Sequence, residues 1–206
     1  MVIGLLVLTA IPAVTGVSQA YSGQKQQEAR ALEAKQMQKF HIDISCELDV
    51  PVVQRNVHQH RVVLRDDKVW VGKKEAINPS TEGYVAEAFF IEYPDPERKP
   101  VQTGLVSQTR AEPPLLNWIY VDNETAELRY GNKSQSIEHT VGPWDWSKDE
   151  TKVTLKKRQR CIAVQKPRSK HWQLYWDVDN DGLANYVPAT WTKVYVTLER
   201  TMIAGA

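Results

Sequence analysis

The chain has 206 residues, of which 26 are basic and 25 are acidic, so its formal net charge at pH 7 is +1. This length is enough for one well-buried domain, and the balanced charge gives no global attraction to nucleic acid or to a cationic partner. Cys46 and Cys161 are the two cysteines. They are too few for a disulfide-dense scaffold and too far apart for a zinc knuckle, although an oxidising compartment would permit one bridge between them.

The N-terminal segment is uncharged and apolar. Residues 2–17 read VIGLLVLTAIPAVTGV, and residues 1–21 together have the length that a membrane-spanning helix requires. We therefore predict a membrane anchor or a signal segment at residues 1–21. The small residues Ser18 and Ala20 fit a cleaved secretory peptide, but such a peptide begins with basic residues, and no Lys or Arg precedes this run. We favour the anchor, and a helix that lies in the membrane interface is a third interpretation.

The localisation prediction depends on the basic residues that follow the apolar segment. They are Lys25, Arg30, Lys35 and Lys39. Because basic flanks tend to stay on the cytosolic side, they predict a single-pass membrane protein whose C-terminal domain is cytosolic. Cleavage of the segment would instead give a secreted protein.

Residues 22–40 form a predicted polar helical spacer. The stretch 24–39 reads QKQQEARALEAKQMQK, which is rich in helix formers and contains neither Gly nor Pro. Glu28, Leu32 and Lys35 stand at spacings that pair along a helix. Because so little of its surface is apolar, this helix is interpreted as a solvated spacer and not as part of a core.

From His41 onward the hydrophobic pattern changes to that of β-strands. In the stretch 41–49, Ile42, Ile44, Cys46 and Leu48 alternate with polar residues, which predicts a strand with one buried face. The predicted β domain accordingly covers residues 41–206.

Further strands follow at short intervals. Strands at 61–65 and 68–71 are separated by a two-residue polar break that is typical of a hairpin. The others are predicted at 88–93, 118–122, 126–130, 136–141, 152–155, 161–164, 171–176 and 193–198. This series of short strands, uninterrupted by a helical pattern, predicts a mainly β fold. The expected architecture is a single antiparallel β-barrel or sandwich domain, preceded by an N-terminal apolar helix and the polar spacer.

The sequence DVDNDG at 177–182 resembles the first half of a calcium loop. Asp177, Asp179 and Asp181 supply alternating carboxylates before a glycine. The second half does not match, because Pro188 stands where a bidentate Glu is required and the flanks indicate strands. We prefer a hairpin loop rich in turn-forming residues, with a calcium site at the three aspartates as the alternative. No other cofactor is expected.

Residues 152–170 contain eight basic residues and no acidic one. The densest group is Lys156, Lys157, Arg158 and Arg160, which we identify as candidate lipid- or partner-binding residues. Contact with anionic lipid headgroups and two solvent-exposed hairpin ends without a ligand are the two interpretations that remain open. Nucleic acid is not expected as a partner.

The short motifs of common enzyme classes are missing from the sequence, including a nucleophile elbow, a zinc-protease helix, a phosphate-binding loop and a dinucleotide fingerprint. No catalytic residue is therefore assigned, and the chain is interpreted as a non-enzyme, although the carboxylate pairs of glycosidases carry no short signature. Most of the seven Trp are expected in the core. Trp144, Trp146 and Trp172 are nevertheless candidates for stacking on sugar rings.

Five short stretches carry a resemblance to a known family. They are MVIGLL at 1–6, NWIYVD at 117–122, LRYG at 128–131, SIEH at 136–139 and GPWDW at 142–146. In these stretches the chain resembles a family of small, uncharacterised filamentous-fungal proteins that are often labelled calcofluor-white-hypersensitive. The resemblance implies a fungal origin and a link to cell-wall integrity, and it implies no catalytic residues. The basic run at 152–170 is not part of it.

The sequence thus predicts a membrane-tethered, non-enzymatic β domain that binds a protein or an anionic lipid surface. The alternative is an exported carbohydrate-binding or carbohydrate-processing domain. The compartment separates the two functions, because the N-glycosylation acceptor sites at Asn123 and Asn132 would carry glycan only in the secretory lumen.

Overall fold

A computed structural model describes residues 13–47, 50–75, 82–110 and 115–203. The chain divides into two units, Met1–Gln36 and Met37–Ala206. The first contains helix α1 (Ala13–Gln36), whose side chains from Gln24 onward are mostly exposed. Within the described residues, no helix combines the length and the hydrophobicity that crossing a bilayer requires. Of the predicted anchor or signal segment at 1–21, residues 1–12 lie outside the described residues.

Helix α1 ends before the predicted spacer does. Residues 37–40 were included in the spacer, but Phe40 already pairs with Met202 and Ala88 as the first residue of a strand. Phe40 is completely buried, so sheet pairing and burial outweigh the helix propensity of its neighbours.

The second unit consists mainly of short strands, together with the short helices α2 (Pro51–Asn56) and α3 (Lys133–Ser136). Its thirteen strands, counted over the described residues, are β1 (Phe40–Ser45), β2 (His60–Arg65), β3 (Lys68–Gly72), β4 (Tyr84–Val85), β5 (Glu87–Glu92), β6 (Thr103–Arg110), β7 (Leu115–Val121), β8 (Leu128–Gly131), β9 (Trp144–Trp146), β10 (Val153–Leu155), β11 (Cys161–Gln165), β12 (Trp172–Trp176) and β13 (Thr192–Met202). The last two residues of the predicted strand 41–49 lie outside the described residues.

Nine of the strands form a closed antiparallel ring, which runs β1–β5–β6–β7–β8–β3–β12–β11–β13 and returns to β1. Strand β2 pairs with both β1 and β3 and so adds a second link between two members of the ring. Strands β9 and β10 form a separate two-stranded sheet. Closure removes the free sheet edges at which chains aggregate. The prediction of a mainly β, barrel-like single domain is confirmed.

The main core is filled by alternate residues of the strands. On β1 the alternation correctly predicted that Ile42 and Ile44 are buried, and Phe40 joins them in the core. Strand β13 contributes Val194, Val196 and Leu198, and the same core contains Trp144, Trp172 and Trp176. These large side chains hold the strands that carry the candidate site in a fixed arrangement.

A second buried cluster lies on the opposite face of β11 and β12. There Ile162, Val164 and Tyr175 are covered by Leu183 and Val187 of the loop that follows β12. Both faces of these two strands are therefore buried, which explains why their sequences are almost continuously apolar.

The predicted strand at 136–141 is wrong. Its first residue belongs to α3, and in the rest of it only Thr140 forms a bridge to β7. The reason is a capping box: Asn132 Oδ1 accepts the Gln135 backbone N–H at 3.0 Å, and Gln135 Oε1 accepts the Asn132 N–H at 2.9 Å. These reciprocal bonds satisfy the free donors of a helix start and favour a helical turn.

Three of the described strands, β4, β6 and β9, were not predicted. Strand β4 has only two residues, too few to show an alternating pattern. Strand β6 buries the polar residues Ser107 and Thr109, so the apolar alternation that indicates a strand is interrupted there. Strand β9 was interpreted as a packed corner, but Trp144 and Trp146 pair with Leu155 and Val153 of β10. The unpredicted strand β9 contributes to the surface described next.

Candidate functional site

The segment that links β10 to β11 carries the four basic candidate residues. Residues 156–160 are named the basic ridge. Lys156 and Lys157 have positive φ angles of 52° and 60°, and Leu155 and Arg158 exchange backbone hydrogen bonds of 3.1 and 3.0 Å. This is a two-residue hairpin turn, where Asn and Gly are usually found. Two lysines in left-handed backbone cost conformational energy, which a binding role for their side chains would explain.

The basic run at 152–170 does not form one surface. Strand β11, with five buried or half-buried residues, separates the basic ridge from the basic residues at 166–170. A strand of this length spans about 16 Å, so the two groups lie at its opposite ends. In the second group, the Lys166 ammonium lies 5.1 Å from the centre of the Trp191 ring. The four candidate residues of the ridge remain together.

The basic ridge borders a hollow of about 320 Å³, named the cationic hollow. Lys156, Arg158 and Arg160 form its basic side. The remaining lining consists of Val121, Thr140, Leu155, Trp176 and Val178. Among these, Val121, Leu155 and Trp176 are core residues, so an apolar floor meets a cationic rim. Such a combination suits a compact anion attached to a less polar group.

The charges of the basic ridge are not neutralised by the fold. Among the residues that the structure describes, none forms an ion pair with Lys156, Lys157 or Arg158. Arg160 donates a hydrogen bond to the Val178 carbonyl oxygen at 3.2 Å, which orients the guanidinium and leaves its charge intact. The cations are therefore available to an anionic ligand.

Alternate residues of the basic ridge line different hollows. Lys156, Arg158 and Arg160 line the cationic hollow, whereas Lys157 and Gln159 line a hollow beside β9. The ridge thus separates two surfaces of different composition.

The structure corrects two of the three tryptophans proposed for sugar stacking. Trp144 and Trp172 are only 1% and 2% exposed, and Trp144 packs edge-on against Trp176 at 5.9 Å. A ring buried in the core cannot offer its face to a ligand. Trp146 is half-buried, with the Arg200 guanidinium 4.8 Å from the centre of its ring. Trp146 is therefore the one of the three that still reaches the surface.

The aspartates of the predicted calcium loop are arranged as a turn. Asp177 is buried, and its two carboxylate oxygens accept the backbone N–H groups of Asp181 and Gly182, both at 3.1 Å. Asp179 and Asp181 are exposed. Over the part of the chain that the structure describes, no three His, Cys, Asp or Glu side chains come together as a metal-binding group. The Asp177 carboxylate caps its own loop through these two bonds.

The family comparison agrees with the barrel-like architecture. The family model described as fungal beta-trefoil domain matches residues 16–204. The chain therefore belongs to the fungal β-trefoil domain family. No curated protein and no solved structure matches the chain. The family match supports the fungal resemblance, and it does not confirm the calcofluor-white label.

Proposed function

We propose that this fungal β-trefoil domain is a non-enzymatic binding module that docks on phosphate-bearing lipid headgroups through its basic ridge. The observation that carries the proposal is the cationic hollow, where Lys156, Arg158 and Arg160 border an apolar floor. Membership of a fold that is often linked to carbohydrate or protein binding supports a binding role in general. The charge of the ridge selects the lipid headgroup as the ligand class.

Phosphate suits the cationic hollow for chemical reasons. Arg and Lys side chains donate charge-assisted hydrogen bonds to phosphate oxygens. Ligand pockets usually have volumes of about 300–1,000 Å³, so the cationic hollow has room for one headgroup. Each basic residue near an anionic membrane contributes about 1 kcal/mol. Three such residues give reversible docking, which becomes stable only with a second attachment.

In this proposal the second attachment is the apolar segment at residues 1–21, retained as a membrane anchor. It would hold the β domain on the cytosolic side, where anionic lipids are concentrated. A secreted protein is the alternative. Exposed Asn123 and Asn132 provide the test in fungal cells: an unglycosylated protein that resists carbonate extraction supports the anchor, and a glycosylated soluble protein contradicts it.

The link to cell-wall integrity belongs to the same proposal, because it comes only from the fungal resemblance. Deletion of the gene followed by growth on calcofluor white tests it. Hypersensitive growth that the wild-type gene rescues and a ridge variant does not would connect the phenotype to the basic ridge. Growth like that of the parent strain would contradict the link.

The lipid ligand is tested with the full chain on two kinds of vesicle, phosphatidylcholine alone and phosphatidylcholine mixed with phosphatidylserine. The N-terminal segment contributes to both, so the ratio of the two affinities reports on the basic ridge. The double variant Lys156→Glu/Arg158→Glu reverses the charge of two side chains that line the cationic hollow and neither of the other hollows. We expect it to lower the ratio by at least about tenfold at low salt.

The matched control is Arg168→Glu/Lys170→Glu, which makes the same change in net charge at the other end of β11. The control should leave the ratio close to that of the wild type. An equal loss in both variants would mean that only the overall charge matters. An unchanged ratio in the ridge variant would exclude the cationic hollow as the lipid site.

A further inference from the structure

Two more hollows lie on the far side of the basic ridge and adjoin at Gln159. The Tyr195 hollow, of about 490 Å³, is lined by Cys46, Glu47, Gln159, Tyr195, Val196 and Thr197. The Trp146 hollow, of about 440 Å³, is lined by Gln159 together with Asp145, Trp146, Thr154 and Lys157. We name the pair the polar groove. Its two compartments have an aromatic side chain in each and share one exposed amide.

The polar groove is balanced in charge, unlike the cationic hollow. Its carboxylates are Glu47 and Asp145, and its ammonium groups are Lys148 and Lys157. The other polar groups are hydroxyls and the Gln159 amide, which both donate and accept hydrogen bonds. An anion gains little net attraction from such a lining. The groove therefore suits a neutral ligand that is rich in hydroxyl groups.

Tyr195 supplies an aromatic surface in the first compartment. It lies on the outer face of β13 and is 60% exposed. Its hydroxyl donates a hydrogen bond to Asp177 Oδ2 at 3.5 Å, and burial with the nearby Asp177 carboxylate raises the pKa of the phenol. This long contact directs the hydroxyl end of the ring toward Asp177, while most of the ring stays in solvent. Exposed, preoriented aromatic rings bind apolar faces at a small entropic cost.

The second compartment offers polar groups next to Trp146. Asp145 Oδ1 accepts the Trp146 backbone N–H at 2.8 Å, so the carboxylate is oriented by the strand and can accept further bonds with its other oxygen. Thr154 lines the same hollow. The Asp145 carboxylate is therefore the oriented hydrogen-bond acceptor that this compartment offers to a ligand.

We propose that the polar groove binds a neutral oligosaccharide chain, with one sugar unit on the Tyr195 ring and a second in the Trp146 hollow. Sugar rings combine an apolar face with equatorial hydroxyls, which matches an aromatic ring flanked by carboxylate and amide groups. Gln159 between the compartments would contact both units. The carbohydrate ligand expected from Trp144 and Trp172 is thereby reassigned to surface residues. This proposal does not rest on lipid binding.

The test uses the full chain in a detergent without a sugar headgroup, titrated calorimetrically with laminarihexaose, chitohexaose and mannohexaose. We expect at least one of the three to bind. Tyr195→Ala and Gln159→Ala should each weaken that binding by about tenfold. Tyr195→Phe keeps the ring and loses only the hydrogen bond to Asp177, so it should retain most of the affinity. Unchanged thermal unfolding would show that the alanine variants are folded.

Two outcomes would overturn the proposal: none of the three hexasaccharides binds, or one binds equally well to Tyr195→Ala. The lipid and sugar sites are separated by exchanging their variants. Lys156→Glu/Arg158→Glu should leave hexasaccharide affinity unchanged, and Tyr195→Ala should leave the vesicle ratio unchanged. If either variant lost both lipid and sugar binding, the two ligands would share one site. That result would contradict the separation of the cationic hollow from the polar groove by the basic ridge.

Discussion

Arg61 donates two hydrogen bonds to Asp43, from Nε to Oδ1 at 2.6 Å and from Nη2 to Oδ2 at 3.3 Å. The two residues are directly opposite each other on β1 and β2. Thr201 of β13 donates a third bond to the same carboxylate at 3.1 Å. One largely buried carboxylate therefore connects three strands at the place where β2 joins the ring.

This carboxylate should make the stability of the protein depend on acid pH. Burial raises the pKa of Asp43, but the hydrogen bonds and charges of Arg61 and Lys74 outweigh burial and hold the pKa below 3.8. Because the pKa of Asp43 is lower in the folded protein than in the unfolded chain, the ionised carboxylate stabilises the fold at pH values above its ordinary pKa. This contribution is lost as the pH falls through the folded pKa. Urea unfolding of Asp43→Asn should show a lower free energy of unfolding at pH 7, by about 2–3 kcal/mol, and a shallower acid dependence. Glu138→Ala, at an exposed position, is the control, and an acid dependence equal to the wild type in Asp43→Asn would contradict the account.

The buried tryptophans should matter for stability and not for ligand binding. Trp172→Ala should lower the free energy of unfolding by about 3–5 kcal/mol, because a ring in the main core leaves a large cavity. Trp146→Ala should have a smaller effect, since its ring is only half-buried. Urea unfolding measures both. A Trp172→Phe protein that unfolds like the wild type but loses sugar binding would contradict the buried position of this ring.

The loop that begins at Asp177 should be stable without a metal. Asp177→Ala removes the acceptor of two backbone N–H groups and should destabilise the fold by about 1–3 kcal/mol. Asp179→Ala should change stability little, because its side chain is exposed. The melting temperature of the wild type should not change when calcium is added. A calcium-dependent rise that disappears in Asp179→Ala would restore the metal interpretation.

The thiol of Cys161 should react only when the protein unfolds. Cys46 and Cys161 are both buried and do not form a disulfide. Burial raises the pKa of Cys161 above its ordinary value, so little thiolate forms at neutral pH. Labelling with iodoacetamide, followed by mass spectrometry, should modify Cys161 in urea and leave it unmodified in buffer. Rapid labelling in buffer would contradict its burial.

The barrel could be predicted from sequence because most strands have one or two continuous apolar faces. The alternation at Ile42 and Ile44 and the apolar run of β11 both indicated strands directly. Strand β6 could not be found in this way, because Ser107 and Thr109 are buried polar residues. The capping box of Asn132 and Gln135 was visible as a pattern, and it would have predicted α3 in place of a strand.

The candidate site was predicted only in part. Charge density alone identified Lys156, Lys157, Arg158 and Arg160 as candidates, and the strand predicted at 161–164 agrees with their separation from the basic residues at 166–170. The floor of the cationic hollow could not be predicted, since Val121 and Trp176 reach it from distant strands through pairing. The tryptophans were misassigned because composition does not distinguish a core ring from a surface ring. The exposed position of Tyr195 could have been predicted, because the alternation of residues along β13 places it on the outer face.

The most direct test of the central claim is nuclear magnetic resonance mapping of the basic ridge with a lipid headgroup that has no acyl chains. The full chain, labelled with nitrogen-15 and held in neutral detergent, is titrated with glycerophosphoserine. The account predicts shifts at the side-chain Nε–H groups of Arg158 and Arg160 and at the backbone amides of Thr140 and Val178, with none at residues 166–170. Shifts centred on residues 166–170, or no shifts at saturating headgroup, would contradict it.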